Sequence, residues 1–283
     1  MNRLIYYNDR IIDADEAGVS PTIAGLLYGW GVFTTVRIVK GAPFLLDRHW
    51  ERLVRHAEKM NMPVPQDYIR VHEGVRELIA ANAVDQGRMR LTLLKGDAGA
   101  WRTGPGLEPQ LLIFTSPGLP VKGEDLTTTI SPHRLPSHGP LAGIKRTSML
   151  ENLLAYEEAR ARGFKEAVML NERGEIVSAT AGNIFWIERD EIFTPSVSTG
   201  CIAGITRALV YDIAKRLRMH LIEGGFPIQR LLDAREVFLT STVRGIAPVA
   251  SFDIRQYKKA ELRMTRSIAR EFQKIISDVR ISP

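Results

Sequence analysis

The chain holds one cysteine, Cys201, among 283 residues. An internal disulfide is excluded, and so is any CxxC metal or redox site. No apolar run approaches the roughly 18 residues that a membrane span needs. The opening stretch MNRLIYYNDR lacks the apolar core of a secretory signal. A cytoplasmic protein with no membrane partner is the expectation. Lys and Arg give a net charge of +6, but no basic block with interleaved aromatics accompanies it. The stretch DRHWERLVRHAEK alternates sign, as a solvated helix face does. Nucleic acid is therefore not an expected partner, and small anionic molecules suit the charge balance better. HExxH, GxSxG and a P-loop are all missing. Gly29-Trp30-Gly31 lacks the third glycine of a dinucleotide fingerprint and precedes a strand. His133 and His138 are close in sequence, but no cluster completes a metal site, so no metal is expected.

What is present describes a folded protein. The 45% hydrophobic and 25% charged fractions argue against disorder. The length suits one large domain or two ordinary ones. Leu4 to Asn8 and Val32 to Val39 read as strands, the second closed by a Lys40-Gly41 turn. Asp47 is placed to cap a helix with apolar positions at Trp50, Leu53, Val54, Ala57 and Met60. A second helix from about Gln66 to Ala83 has Ile69, Val75, Leu78 and Ile79 as its stripe. Met89, Leu91 and Leu93 alternate as in a half-buried strand, and Leu111 to Thr115 is a buried one. The stretch SPGLPVKGE interrupts the pattern and reads as a linker over 118–123. Beyond it come a strand over Thr127 to Ser131 and a helix from about Ser148 to Arg162. Strands follow near Ala167, Glu175, Asn183 and Ile192. A helix from Thr206, strands at Leu221 and Glu236, and a C-terminal helix complete the reading. The fold class is mixed α/β (α+β) in two lobes, a smaller one over 1–117 and a larger one over 124–283. A lobe interface is a common place for a ligand cleft.

Three segments carry chemical potential. Gly200-Cys-Ile-Ala-Gly-Ile-Thr-Arg207 opens a helix with Gly and Thr. Free backbone N–H groups and the helix dipole make such a start an anion site; an ordinary capped helix is the plainer reading. Leu239-Thr-Ser-Thr-Val-Arg244 runs a strand into a hydroxyl-rich turn. His49-x-x-Arg52-Leu53 places an arginine beside a core leucine, where surface snorkelling is the plainer reading.

Together these segments resemble the fold-type IV family of pyridoxal-phosphate enzymes. That family holds branched-chain and D-amino-acid aminotransferases and aminodeoxychorismate lyase. YGWGVFTTVR, DRHWERL, LAGIKRTSMLEN, AGNIFW, TPS with GCIAGITR, and LTSTVRGIAPV occur in the family's order. The resemblance implies pyridoxal 5′-phosphate as cofactor, with Lys145 bonded to its aldehyde. It implies Arg52 paired with the phosphate. Ile205 and Thr206 would give the phosphate backbone N–H groups, Thr242 a hydroxyl, and Ile202 would pack on the ring. It also implies a homodimer.

The chain departs from the family at one position. Five residues before Asn183, where most relatives carry a glutamate that pairs with the pyridine nitrogen, stands Ser178. A hydroxyl cannot hold that nitrogen protonated as a carboxylate can. Ser178, or else Thr180, is expected to meet it, which makes the ring a weaker electron sink and favours elimination over transamination. FTTVR, LAGIK and NIFW look most like aminodeoxychorismate lyase. That resemblance implies elimination of pyruvate from 4-amino-4-deoxychorismate to give 4-aminobenzoate, a step of folate biosynthesis. The alternative is a D-amino-acid or branched-chain aminotransferase, and in either case the substrate is a small anionic amine or amino acid. Strand alternation puts Phe33, Thr35 and Arg37 on one face. If that face lines the pocket, Arg37 offers a cation to a carboxylate. Arg102, displaced from the family spacing, is a further candidate for the same task.

Overall fold

The computed structural model describes residues 1–97, 107–118 and 125–279. The expected linker falls almost wholly outside them, and so does Arg102. The chain divides into two units. The first is Met1–Pro120 with Ile144–Ser148 and Asp278–Pro283; the second is Val121–Gly143 with Met149–Ser277. The segment Ile144–Ser148 thus belongs with the first unit, although its neighbours in sequence on both sides belong to the second.

The first unit runs β1 (Leu4–Tyr7), β2 (Arg10–Asp13), α1 (Ala24–Leu27), β3 (Gly31–Val39), β4 (Ala42–Pro43), α2 (Leu46–Lys59), α3 (Tyr68–Ala81), β5 (Gln86–Leu94) and β6 (Gln110–Pro117). These strands form an antiparallel sheet in the order β2-β1-β6-β5-β3-β4. Its core face carries Val32, Val36, Ile38, Met89, Leu91, Leu93, Leu111 and Ile113, packed with Trp50, Leu53, Val75 and Leu78 from the two long helices. Leu45, in the left-handed region at φ 54, precedes α2. Asp47 lies inside the first turn rather than at the cap, where its charge still suits the helix dipole. In α3 the cap is Asp67, whose carboxylate accepts from Arg70 N. Ile69 points to solvent, 70% exposed. The buried stripe begins at Val71 and includes Gly74, because the Tyr6 ring occupies the space a Cβ would need.

The second unit runs β7 (Leu126–Leu135), α4 (Leu150–Ala161), β8 (Glu166–Asn171), β9 (Ile176–Ala179), β10 (Asn183–Glu188), β11 (Glu191–Pro195), α5 (Ile205–Arg216), β12 (Leu221–Gly224), α6 (Gln229–Asp233), β13 (Glu236–Ser241), β14 (Gly245–Phe252), β15 (Arg255–Gln256) and α7 (Arg263–Ser277). Its mixed sheet has the order β12-β11-β10-β13-β14-β7-β8-β9, with β15 beside β14. Ile184, Phe185, Trp186 and Ile187 on β10 are fully buried, as expected for a strand covered on both faces. Phe185 stacks on Phe238 of β13 at 5.0 Å. Strands β2, β14 and β15 carry no clear alternation and are not legible in the pattern.

Glu236 ties α7 to the sheet. It is buried, and its carboxylate accepts from Met264 N at 3.1 Å and Thr265 N at 2.8 Å, N–H groups of the helix's first turn. Glu236→Ala strands both donors without water. It is expected to cost about 2 kcal/mol, measured as the change in urea unfolding free energy.

Candidate functional site

Lys145 sits on the five-residue segment that joins the first unit. Phe33 N donates to Lys145 O at 3.0 Å, Thr147 N donates to Gly31 O at 2.8 Å, and Val32 bridges Arg146. The segment is in effect a short extra strand on the start of β3. Two glycines permit the approach. A Cβ on Gly31 would lie 2.8 Å from Leu93 O and 2.9 Å from Thr147 Oγ1. Gly29 has φ +63, and a Cβ there would meet Ser148 Cβ at 2.9 Å. The GWG sequence is therefore a docking surface for the lysine segment, and Trp30 between the glycines is anchored by its Nε1–H to Met60 O.

Two histidines and an arginine from α2 line the same place. Lys145 N donates to His56 Nδ1 at 3.0 Å. Arg52 Nη2 donates to Thr34 Oγ1 at 2.8 Å, and the same hydroxyl is hydrogen bonded to His49 Nδ1 at 2.7 Å. His56 Nδ1, taking the Lys145 N–H, is an acceptor, which fixes that ring as a neutral tautomer with its proton on Nε2. Electrostatics agree. Burial, with the cations Arg52 and Lys145 behind it, holds His49 well below its ordinary pKa. Burial and the surrounding cations Arg52, Arg55, Lys59 and Lys145 push His56 down to about 4.

The Lys145 amine lies 4.4 Å from the centroid of the Phe33 ring, and the Arg90 guanidinium lies 3.6 Å from it. Burial pushes Lys145 down to about 7, and Arg52 and Arg90 push in the same direction. A substantial fraction of the amine is therefore unprotonated near neutrality, able to act as nucleophile or base. Phe33, Thr35 and Arg37 do share the sheet face away from the core, and Arg88, Arg90 and Thr92 stand opposite them on β5. Arg90 is a site residue that the motifs do not point to, although the inward set Met89, Leu91 and Leu93 already implies an outward one.

The second unit contributes a separate group. Ile205 and Thr206 are the first residues of α5, preceded by Gly204 with no side-chain cap. Asn183 Nδ2 donates to Ile202 O at 2.8 Å, and a Cβ on Gly204 would fall 2.1 Å from Asn183 Oδ1. Asn183 thus clamps the loop that leads into the helix. Thr242 stands in the turn after β13. Arg207 turns inward, donating to Pro195 O at 3.0 Å and to Glu223 at 2.7 Å. Cys201 is buried, its thiol pKa raised by that burial.

Ser178 lies on β9 opposite Met169, with its side chain partly exposed. Thr180 is buried, and its hydroxyl hydrogen bonds to Glu166, a fully buried carboxylate. Thr180 N at 3.1 Å, Ala167 N at 3.0 Å and Arg244 Nη1 at 2.8 Å complete the shell of Glu166. Thr180 is thus committed internally, and the freer hydroxyl of the pair is Ser178. Among the described residues no group of three His, Cys, Asp or Glu could hold a metal, and no helix is long and apolar enough to cross a membrane.

The class IV aminotransferase family model matches residues 31–252. A putative branched-chain-amino-acid aminotransferase of Methanocaldococcus jannaschii is 30% identical over 276 residues, 96% of each chain. The aminodeoxychorismate lyase of Bacillus subtilis is 29% identical over 283 residues, 98% of this chain and 96% of its own. The crystal structure of the Escherichia coli branched-chain amino acid aminotransferase superposes with a TM-score of 0.90 at 25% identity, covering 98% of this chain and 95% of its own. The chain belongs to the class IV aminotransferase family. The two-lobe α/β fold is that of its fold-type IV relatives, and pyridoxal 5′-phosphate is its cofactor. The residues fit that group. An amine whose pKa burial pushes down to about 7 suits an aldehyde, and the charges acting on it, Arg52 and Arg90, are positive, as a site for an anion requires.

The His56 ring gives a stability test. Its pKa is lower folded than unfolded, so the unfolded chain takes up the proton first. The contribution is whole above about pH 6.5 and is lost as the pH falls toward 4. Urea unfolding at pH 7.5 and pH 5 should show the wild type losing about 2 kcal/mol more than His56→Asn.

Proposed function

We propose that this enzyme is a 4-amino-4-deoxychorismate lyase, eliminating pyruvate to release 4-aminobenzoate. One observation carries the reading. Arg37 and Arg90 stand on the sheet face that holds the Lys145 amine, and burial alone lowers both. Among the described residues no carboxylate offsets either cation, so a substrate with two carboxylates answers both. The similarity to the lyase of Bacillus subtilis supports this assignment. Ser178, with no charge to offer the ring nitrogen, agrees with it.

When bound, the cofactor supplies an electrophilic aldehyde and an electron sink. Lys145 Nζ is the base, taking the proton from the carbon that bears the substrate amine. On this reading the residues that would hold the cofactor phosphate are Arg52, as a charged fork, the backbone N–H groups of Ile205 and Thr206, and the hydroxyl of Thr242. Ile202 would pack against the ring, Phe33 and Thr35 would border the substrate, and Arg37 and Arg90 would orient it. His56 keeps the Lys145 backbone in place, and Arg52 is aimed by Thr34 and His49. The reading includes a homodimer. Leu150, Leu153 and Leu154 on α4 are 62%, 58% and 49% exposed, and such apolar patches mark protein contacts.

The second reading is a branched-chain or D-amino-acid aminotransferase, favoured by the identity to the Methanocaldococcus jannaschii relative. Products separate the two. The lyase releases 4-aminobenzoate from enzymatically made aminodeoxychorismate and does not accumulate pyridoxamine phosphate with an amino donor alone. Pyridoxamine phosphate without 4-aminobenzoate would make the chain an aminotransferase. Lys145→Ala should lower turnover at least ~100-fold. In the wild type, kcat should fall about tenfold per pH unit on the acid side, where the Lys145 amine freed by the substrate carries a proton.

A further inference from the structure

The outward face of the first unit's sheet carries more positive charge than two arginines. The β3/β5 register sets Arg37 directly opposite Arg88 and Thr35 opposite Arg90. Directly opposed residues have Cβ atoms about 5 Å apart, where like charges destabilise the sheet. Arg37 is 7% exposed, and its Nε is buried with no hydrogen-bond partner among the described residues. The row continues on β6 with Ser116 beside Arg88 and Phe114 beside Arg90, so no carboxylate stands across that strand pair either. Arg90 differs from these two. Its guanidinium lies over Phe33, near Lys145, and its Nε donates to Thr92 Oγ1 at 3.2 Å. Two cationic positions therefore follow one another along the strands. Arg90 is next to the amine, and the Arg37–Arg88 pair is two residues, roughly 7 Å, farther on.

We infer that Arg37 and Arg88 form an anion subsite separate from Arg90, which takes the second carboxylate of a dicarboxylic amine substrate. The inference rests on the lyase reading and names the residue that sets its substrate class. Two guanidinium forks from neighbouring strands enclose one carboxylate, which cancels the repulsion between them. An amine with a single carboxylate, held at Arg90, leaves the pair unmatched. Arg88 is then the specificity-determining residue. It is exposed, so its replacement leaves the core of the sheet intact.

Calorimetric titration of the holoenzyme with benzoate and with isophthalate tests this. The wild type should bind isophthalate about tenfold more tightly than benzoate. Arg88→Gln should remove most of that preference with benzoate affinity kept within about twofold, and Arg88→Lys should restore part of it. A preference that is absent in the wild type, survives in Arg88→Gln, or vanishes because both probes weaken together overturns the subsite. If the chain releases no 4-aminobenzoate but the Arg88-dependent preference holds, the lyase reading falls and the subsite stands for another dicarboxylic amine.

Discussion

The site depends on one close approach. The backbone of residues 145–147 lies against the first residues of β3, with hydrogen bonds at 3.0 and 2.8 Å, and Gly29 and Gly31 leave the space for it. The side-chain arrangement around Lys145 follows from that approach. It puts the amine over Phe33, sets the backbone N–H on His56, and brings the lysine into the field of Arg52 and Arg90. A single added methyl at position 31 would meet a backbone carbonyl, which cannot move as a side chain can.

Positive charge is concentrated here at some cost to the folded protein. Arg52 is pushed down to about 10 and Lys145 to about 7, both chiefly by burial. His49 and His56 avoid adding to the repulsion by staying neutral, and His56 uses its unprotonated Nδ1 as an acceptor. A core built for stability alone would place a carboxylate among these groups, as the second unit does with Glu166 and Arg244. The contrast separates an ion pair that closes a structure from a set of cations arranged for an anion that arrives later.

Much of this is legible in the sequence, and the exceptions have physical reasons. Alternation in β3 puts Phe33, Thr35 and Arg37 on one face, and the pairing with β5 shows that face to be the outward one. The same alternation in RMRLTL turns Arg88 and Arg90 away from the core, but its polar half carries less signal than its apolar half. Ile69 falls on the opposite side from the one expected, because helix α3 starts at Tyr68 and its true stripe includes a glycine, which carries no hydrophobic signal. The role of His56 is invisible in the sequence. Its partner is a backbone N–H 89 residues away, and a backbone group leaves no trace in the pattern of side chains. Thr180 looks as free as Ser178 until Glu166 is placed beneath it, by a strand pairing that sequence separation hides.

The placement of the lysine segment also bears on how the protein acquires activity. Thr147 Oγ1 bonds Gly29 O across 118 residues of chain. The strands of the first unit's sheet all lie before residue 118, so the sheet can collapse while the chain is still emerging from the ribosome. The lysine arrives only afterwards, after a long loop has closed. A nascent or truncated chain ending before residue 145 can thus bury a nearly complete hydrophobic core and still have no base at its reaction centre. Activity is the last property of this unit to form.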